Sequence, residues 1–204
     1  RIIKVTSWKF YDNNADRLFA DYISLDFYSI FQDVEEFILQ SKGVSLDVGS
    51  GSGRDAAALD ELGYKVIAVE PSEKMRNLAS SYYKSNHIIW LDDSLPFLHS
   101  VKAMNLKFDL ILVSAVWMHL SKKEQKISLE TLTDLLTLNG RMIITLRLGP
   151  PEPDRNINVV NTEELLELAS QLGLKTLRVT SINKDSFQRN QITWQKVVLS
   201  KNNE

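Results

Sequence analysis

Three glycines at alternate positions, Gly49, Gly51 and Gly53, follow a short apolar run that contains an acid, in the segment VSLDVGSGSGR from Val44 to Arg54. Glycines spaced in this way let a chain turn sharply out of a strand and bring its backbone against a ligand just as a helix begins, the arrangement that binds nucleotide-type cofactors. Two acids sit where such a ligand would need them. Asp47 lies inside the run leading into the loop, and Glu70 ends the next apolar run, KVIAVE, where a carboxylate can accept bonds from ribose hydroxyls. Farther on, His119 lies just beyond the run FDLILV, Phe108 to Val113, and is the side chain suited to moving a proton near neutral pH. No cysteine occurs, which excludes disulfides, thiolate metal sites and a cysteine nucleophile. Nor does a dense His or carboxylate cluster argue for a metal.

The elements that must position these residues alternate between strand and helix. After Gly53 a helix carrying Ala56, Ala57, Ala58, Leu59 and Leu62 stops at Gly63, and Lys65 to Glu70 reads as a strand. Ser121 with Glu124 forms a capping box that opens a helix to Leu138, ended by Asn139-Gly140 before a strand from Arg141 to Leu146. Asn161 to Leu172 repeats the plan and stops at Gly173. FDLILV and MIITL are continuously apolar, as strands covered on both faces are in a parallel sheet. The segments Leu174 to Ile182 and Ile192 to Ser200 have no helix between them and are expected to pair antiparallel. The aromatic-rich first forty residues read as helices packed against the sheet.

With 204 residues, 44% of them hydrophobic, the chain fits one domain, a helical cap over residues 1–43 and an α/β core over 44–200. A formal net charge of -2 gives no basic field for nucleic acid. No apolar run approaches the roughly 18 residues needed to span a bilayer, so no membrane partner is expected, and the lack of cysteine fits the cytoplasm. The opening at Arg1 rather than Met leaves room for upstream residues, and oligomeric state is not legible.

The frame Gly51-Ser52-Gly53-Arg54-Asp55-Ala56 also satisfies a dinucleotide pattern. Asp47 in the strand, the strict alternation of glycines and the closing antiparallel pair point elsewhere: from residue 44 to 200 the chain resembles the class I S-adenosylmethionine-dependent methyltransferases, in the branch that acts on small molecules. The resemblance implies a Rossmann-like three-layer sandwich, with a seven-stranded, mostly parallel sheet, an antiparallel C-terminal strand and N-terminal helices. LDVGSGSGR resembles the family's first motif, which implies Asp47 near the methionine amino group and Gly49, Ser50, Gly51 and Gly53 around the methionine and ribose. In VIAVEPSEKM, Glu70 matches the acid on the ribose hydroxyls, with Pro71 and Met75 against adenine. HIIWLDDSLPF offers Asp92 or Asp93 for the adenine amino group. FDLILVSAVWMHL resembles the fourth motif, which places Ser114 at the cofactor and the segment after it toward the acceptor, and FYDNNA resembles an opening segment whose tyrosine, here Tyr11, covers the cofactor.

The chemistry so implied is in-line transfer of a methyl group from S-adenosylmethionine to O or N of a small molecule, leaving S-adenosylhomocysteine. His119 is then the base, and Trp117 and Arg147 the acceptor contacts. The proline-stiffened segment LRLGPPEPDRNINVV, with Arg147, Glu152, Asp154 and Arg155, leaves the ligand side of the sheet and is expected to shape the acceptor pocket, with Phe187 and Arg189 at its mouth. Two alternatives stand beside this reading: methylation of a protein or nucleic acid, and an NAD-type dehydrogenase or non-catalytic binding module.

Overall fold

The computed structural model describes residues 6–39 and 43–201. The two ends of the expected N-terminal cap, 1–5 and 40–42, lie outside them. Four short helices come first, α1 (Thr6–Asn13), α2 (Ala15–Ile23), α3 (Phe27–Ile30) and α4 (Glu35–Leu39). The core then alternates β1 (Val44–Val48), α5 (Arg54–Glu61), β2 (Lys65–Val69), α6 (Glu73–Tyr82), β3 (Ile88–Leu91), α7 (His99–Ala103), β4 (Phe108–Val113), α8 (Lys122–Leu135), β5 (Leu136–Leu148), α9 (Thr162–Gln171), β6 (Lys175–Val179), β7 (Asn183–Lys184) and β8 (Thr193–Ser200).

The strands form one sheet in the order β3-β2-β1-β4-β5-β8-β6, with β7 beside β8. Pairings from β3 to β5 are parallel, and β8 runs antiparallel to both β5 and β6. The two-residue β7 is one strand more than the pattern predicts; it is too short to carry an alternation. Both faces of the sheet are apolar because successive side chains point to opposite faces. Leu46, Val48, Ile111, Val113 and Ile144 pack with Leu129 and Leu132 of α8 and Leu165 of α9. On the other face Val66, Ala68, Leu110, Leu112 and Ile143 meet Ala56 and Leu59 of α5 and Phe27, Phe31 and Val34 of the N-terminal segment. A third cluster ties α1 and α2 to α6 through Leu18, Met75, Phe10 and Tyr22.

One boundary differs in an instructive way. Helix α8 has the expected capping box, Ser121 accepting from the Glu124 amide and Glu124 from the Ser121 amide, but it stops at Leu135 rather than Leu138. The carbonyls of its last turn are claimed from elsewhere, that of Asp134 by the Lys107 ammonium and that of Thr133 by Lys201 at 3.2 Å. Leu136 then pairs with Phe108, and β5 runs on through an irregularity at Asn139, which stands at φ +67°.

Candidate functional site

The glycine loop connects β1 to α5 at the carboxyl end of the parallel strands, where open α/β sheets bind ligands. The Ser50 amide donates to Val69 O at 2.8 Å and the Gly53 amide to Ser50 O at 2.9 Å, which fixes the turn to the end of β2. Gly51, at φ +53°, has only the Tyr22 ring and the Gly49 carbonyl within 4 Å of where a Cβ would stand, so its backbone is open to a ligand. Gly53 is different: a Cβ there would stand 2.6 Å from the Trp90 ring and 3.0 Å from Ala79. Its small size serves packing of the loop on α6 and β3.

Glu70 follows β2 and lines the cavity. One carboxylate oxygen accepts from the Gly51 amide and the other from the Ser72 amide, both at 2.9 Å. Burial pushes its carboxyl up to about 7, against the pull of those two donors. Each oxygen keeps a lone pair free, which two vicinal hydroxyls could use. Asp47 is 1% exposed and neither of its oxygens has a hydrogen-bond partner. Burial, then the charge of Asp55, drive its carboxyl well above the usual range, with Arg54 opposing. Ser50 Oγ is also buried without a partner. A buried acid and hydroxyl left unsatisfied are costly in an empty fold and become useful beside a cationic, hydrogen-bonding ligand.

The loop, Glu70, Pro71, Asp93 and Ser114 border one cavity of about 880 Å³ that continues under the N-terminal helices to the carboxyl ends of β4 and β5. Such a volume is at the upper end of small-molecule sites and has room for more than one ligand. Of the paired aspartates, Asp93 lies on the cavity, its carboxylate taken by the Ser94 and Val101 amides, whereas Asp92 faces solvent near Arg76 at 3.6 Å. Met75 is fully buried in the α1, α2 and α6 cluster and does not reach the cavity. Ala115 adopts φ +56° and its amide donates to Thr145 Oγ1 at 2.8 Å, a strained turn at the cavity wall.

His119 sits on a single 3-10 turn, Trp117–His119, after β4. Its Nδ1 is 3.2 Å from the Asn156 carbonyl, which can only accept, so Nδ1 carries the proton and Nε2 is the acceptor for the Tyr11 hydroxyl at 3.0 Å. The Asn156 side chain returns a bond to the His119 carbonyl at 3.2 Å. Burial holds the imidazole below its usual value, and the Arg155 and Arg147 charges add to that. Tyr11, shielded by burial and interacting with Tyr22, is held well above an ordinary phenol. Trp117, expected against the acceptor, is 1% exposed and belongs to the core beneath the turn; its neighbour Met118 lines the cavity instead.

Arg147, from the end of β5, does line the cavity and is 2% exposed. It donates to Pro150 O at 2.7 Å and to Glu152 at 2.8 Å. The far wall holds Phe187 and Arg189, expected at the mouth, together with Asp185, Trp194 and Lys196, which carry no sequence signal of their own. Asp185 takes three bonds from Arg189, one from its amide and two from its guanidinium, and one from Trp194 Nε1 at 2.8 Å. Burial raises the Asp185 carboxyl, but these donors overcome it and bring it to about 2. Lys196 of β8 pairs with Asp33 at 3.0 Å. Among the described residues no group of three or more His, Cys, Asp or Glu could hold a metal ion, and no helix is long and apolar enough to cross a membrane.

Residues 46–144 match the sequence profile of the family described as a methyltransferase domain. An uncharacterized methyltransferase of Alkaliphilus oremlandii (strain OhILAs) is 29% identical over 133 residues, which cover 65% of this chain and 57% of that protein. One of Staphylococcus carnosus (strain TM300) is 23% identical over 180 residues, covering 82% of this chain and 84% of that protein. Among solved structures, magnesium protoporphyrin IX methyltransferase from Synechocystis PCC 6803 with bound S-adenosylhomocysteine is similar in fold, with a TM-score of 0.68 at 15% identity and coverage of 94% of this chain and 96% of that one.

Proposed function

Starting from a class I S-adenosylmethionine-dependent methyltransferase, the assignment that the family match and the relatives support, we propose that this chain methylates O or N of a small molecule taken into the cavity, in the cytosol. The observation that carries the reading is the bond from Tyr11 on α1 to His119 beyond β4, 108 residues away in sequence, which draws the N-terminal helices across the ligand side of the sheet. A site roofed in this way suits an acceptor that can be enclosed, and it keeps water from the reacting groups. A near-neutral chain also lacks the field that a nucleic-acid acceptor would call for.

When bound, S-adenosylmethionine supplies an electrophilic methyl group on a sulfonium. In our reading Glu70 holds the ribose hydroxyls, Asp47 and Ser50 serve the methionine end, Gly49, Gly51, Pro71 and Ser114 form the backbone cradle, and Asp93 rather than Asp92 borders the adenine. Met75 and Gly53 act behind the cradle by packing. The chief work of the remaining residues is alignment, which is worth on the order of 7 kcal/mol in good cases. For an acceptor that enters protonated, the proton passes to the Tyr11 oxygen while Tyr11 gives its own to His119 Nε2, and the Asn156 carbonyl steadies the imidazolium through Nδ1. This revises the simpler role of His119 as a base in direct contact, because its free nitrogen already accepts from Tyr11.

Tritiated methyl transfer into a size-fractionated cell extract tests the reading. Label is expected in the low-molecular-weight fraction; label confined to protein or nucleic acid overturns the small-molecule acceptor.

A further inference from the structure

Arg147 and Arg155 share a single counter-ion. Glu152 accepts from Arg147 at 2.8 Å and lies 3.8 Å from Arg155. Of the other cations that line the cavity, Arg17 has Asp21, Arg54 has Asp55, Arg189 has Asp185 and Lys196 has Asp33, while Lys184 is exposed to solvent. Around Glu152, two guanidinium groups to one carboxylate leave one positive charge over. The Nε atoms of both Arg147 and Arg155 are buried and have no hydrogen-bond partner, although both residues line the cavity. A partly desolvated guanidinium pair with a single carboxylate between its members and unused N–H groups is an unfavourable feature of an empty protein and a strong recognition feature for an anion.

The pair is held rigidly. Arg155 lies over the Phe10 ring at 4.6 Å, and its loop is pinned to the His119 turn by Asn156 at 3.2 Å and by the Asn158 amide to Met118 O at 2.8 Å. The strand end that carries Arg147 is fixed in register opposite Trp194. Loop and strand thus bring the two cations beside the Tyr11–His119 pair, where burial lowers the imidazole and their charges lower it further.

We propose that the methyl acceptor carries an anionic group, a carboxylate or a phosphate monoester, and that Arg147 and Arg155 bind this group and so orient the nucleophile toward Tyr11. This rests on the small-molecule reading above. It also supplies what the proton relay lacks: an anion between the arginines lifts the repulsion that opposes an imidazolium at His119.

Calorimetry on the protein saturated with S-adenosylhomocysteine, titrated separately with inorganic phosphate and with acetate, tests the proposal. At least one of the two anions is expected to bind saturably in the millimolar range. Tighter phosphate binding assigns a phosphate monoester and tighter acetate binding a carboxylate. Arg155→Met, which keeps an apolar stem on Phe10, should weaken that anion about tenfold, whereas Glu152→Gln, outside the cavity lining, should tighten it about threefold because it frees both guanidinium groups. Retained affinity for S-adenosylhomocysteine reports that each variant is folded. Failure of both anions to bind the loaded wild type, or Glu152→Gln leaving anion affinity unchanged or weaker, overturns the proposal and leaves the methyltransferase reading intact. Failure of S-adenosylhomocysteine to bind overturns both.

Discussion

Replacing Glu70 by Gln should separate the stability of the empty protein from its affinity for the cofactor. Burial raises the Glu70 carboxyl from 4.5 to about 7 despite two amide donors, so keeping it ionised at pH 8 costs the fold about 3 kcal/mol. The folded value lies above the unfolded one; the associated stability is complete below about pH 4.5 and is lost as the pH rises through about 7. Glutamine has nearly the same shape and no charge, but its NH₂ group cannot accept, so one of the Gly51 and Ser72 amides loses its partner at about 1–3 kcal/mol. The first effect is as large as the second or larger. At pH 8 the empty variant should therefore melt at or slightly above the wild type. Affinity moves the other way, because hydroxyl-to-carboxylate bonds are worth about 1.5–3 kcal/mol each, and S-adenosylhomocysteine should bind at least about tenfold more weakly. Hydroxyl donors favour the ionised acid, so in the wild type binding should also be about tenfold weaker at pH 6 than at pH 8, a difference that shrinks in the variant. Calorimetry at both pH values and a thermal melt give all four numbers. An unchanged dissociation constant at pH 8, or the same pH dependence in both proteins, refutes the ribose contact.

Tyr11→Phe removes the donor to His119 Nε2; turnover should fall about tenfold or more while S-adenosylhomocysteine affinity changes by no more than a few-fold, and a parallel loss of both would make Tyr11 a cofactor contact instead. Gly53→Ala puts a Cβ against Trp90 and Ala79 at φ +82°, which should cost about 3 kcal/mol and lower the melting temperature by about 5–10 °C. Because His119 is held below 6.5, its contribution to stability is present above pH 6.5 and lost as the pH falls through the lower folded value; His119→Gln should remove that part of the acid-side decline in melts between pH 7 and 5.

The alternating glycines, Asp47 and Glu70 were legible because each is a local matter. A glycine loop after a buried strand fixes its own backbone, and an acid at the end of the neighbouring parallel strand falls beside that loop once β1 and β2 pair in register. Helix starts were equally plain, since a capping box is closed within four residues. The helix end at Leu135 was not, because the pairing of Leu136 with Phe108, remote in sequence, decides it. Trp117 shows the limit for a single side chain: proximity to a strand end suggested the pocket, but the 3-10 turn rotates the indole into the core and offers Met118 and His119 to the cavity.

The three-layer α/β plan, the glycine loop and the acid that faces it follow from the sequence alone, because period-two and helical patterns, caps and glycines act over a few residues. Tertiary structure alone decided that Asp93 and not Asp92 borders the cavity, that Tyr11 reaches across to His119, and that two arginines of the proline-rich segment share one carboxylate. Each of these depends on which surfaces the folded layers bring together, and no spacing along the chain encodes the direction in which a loop-borne side chain finally points.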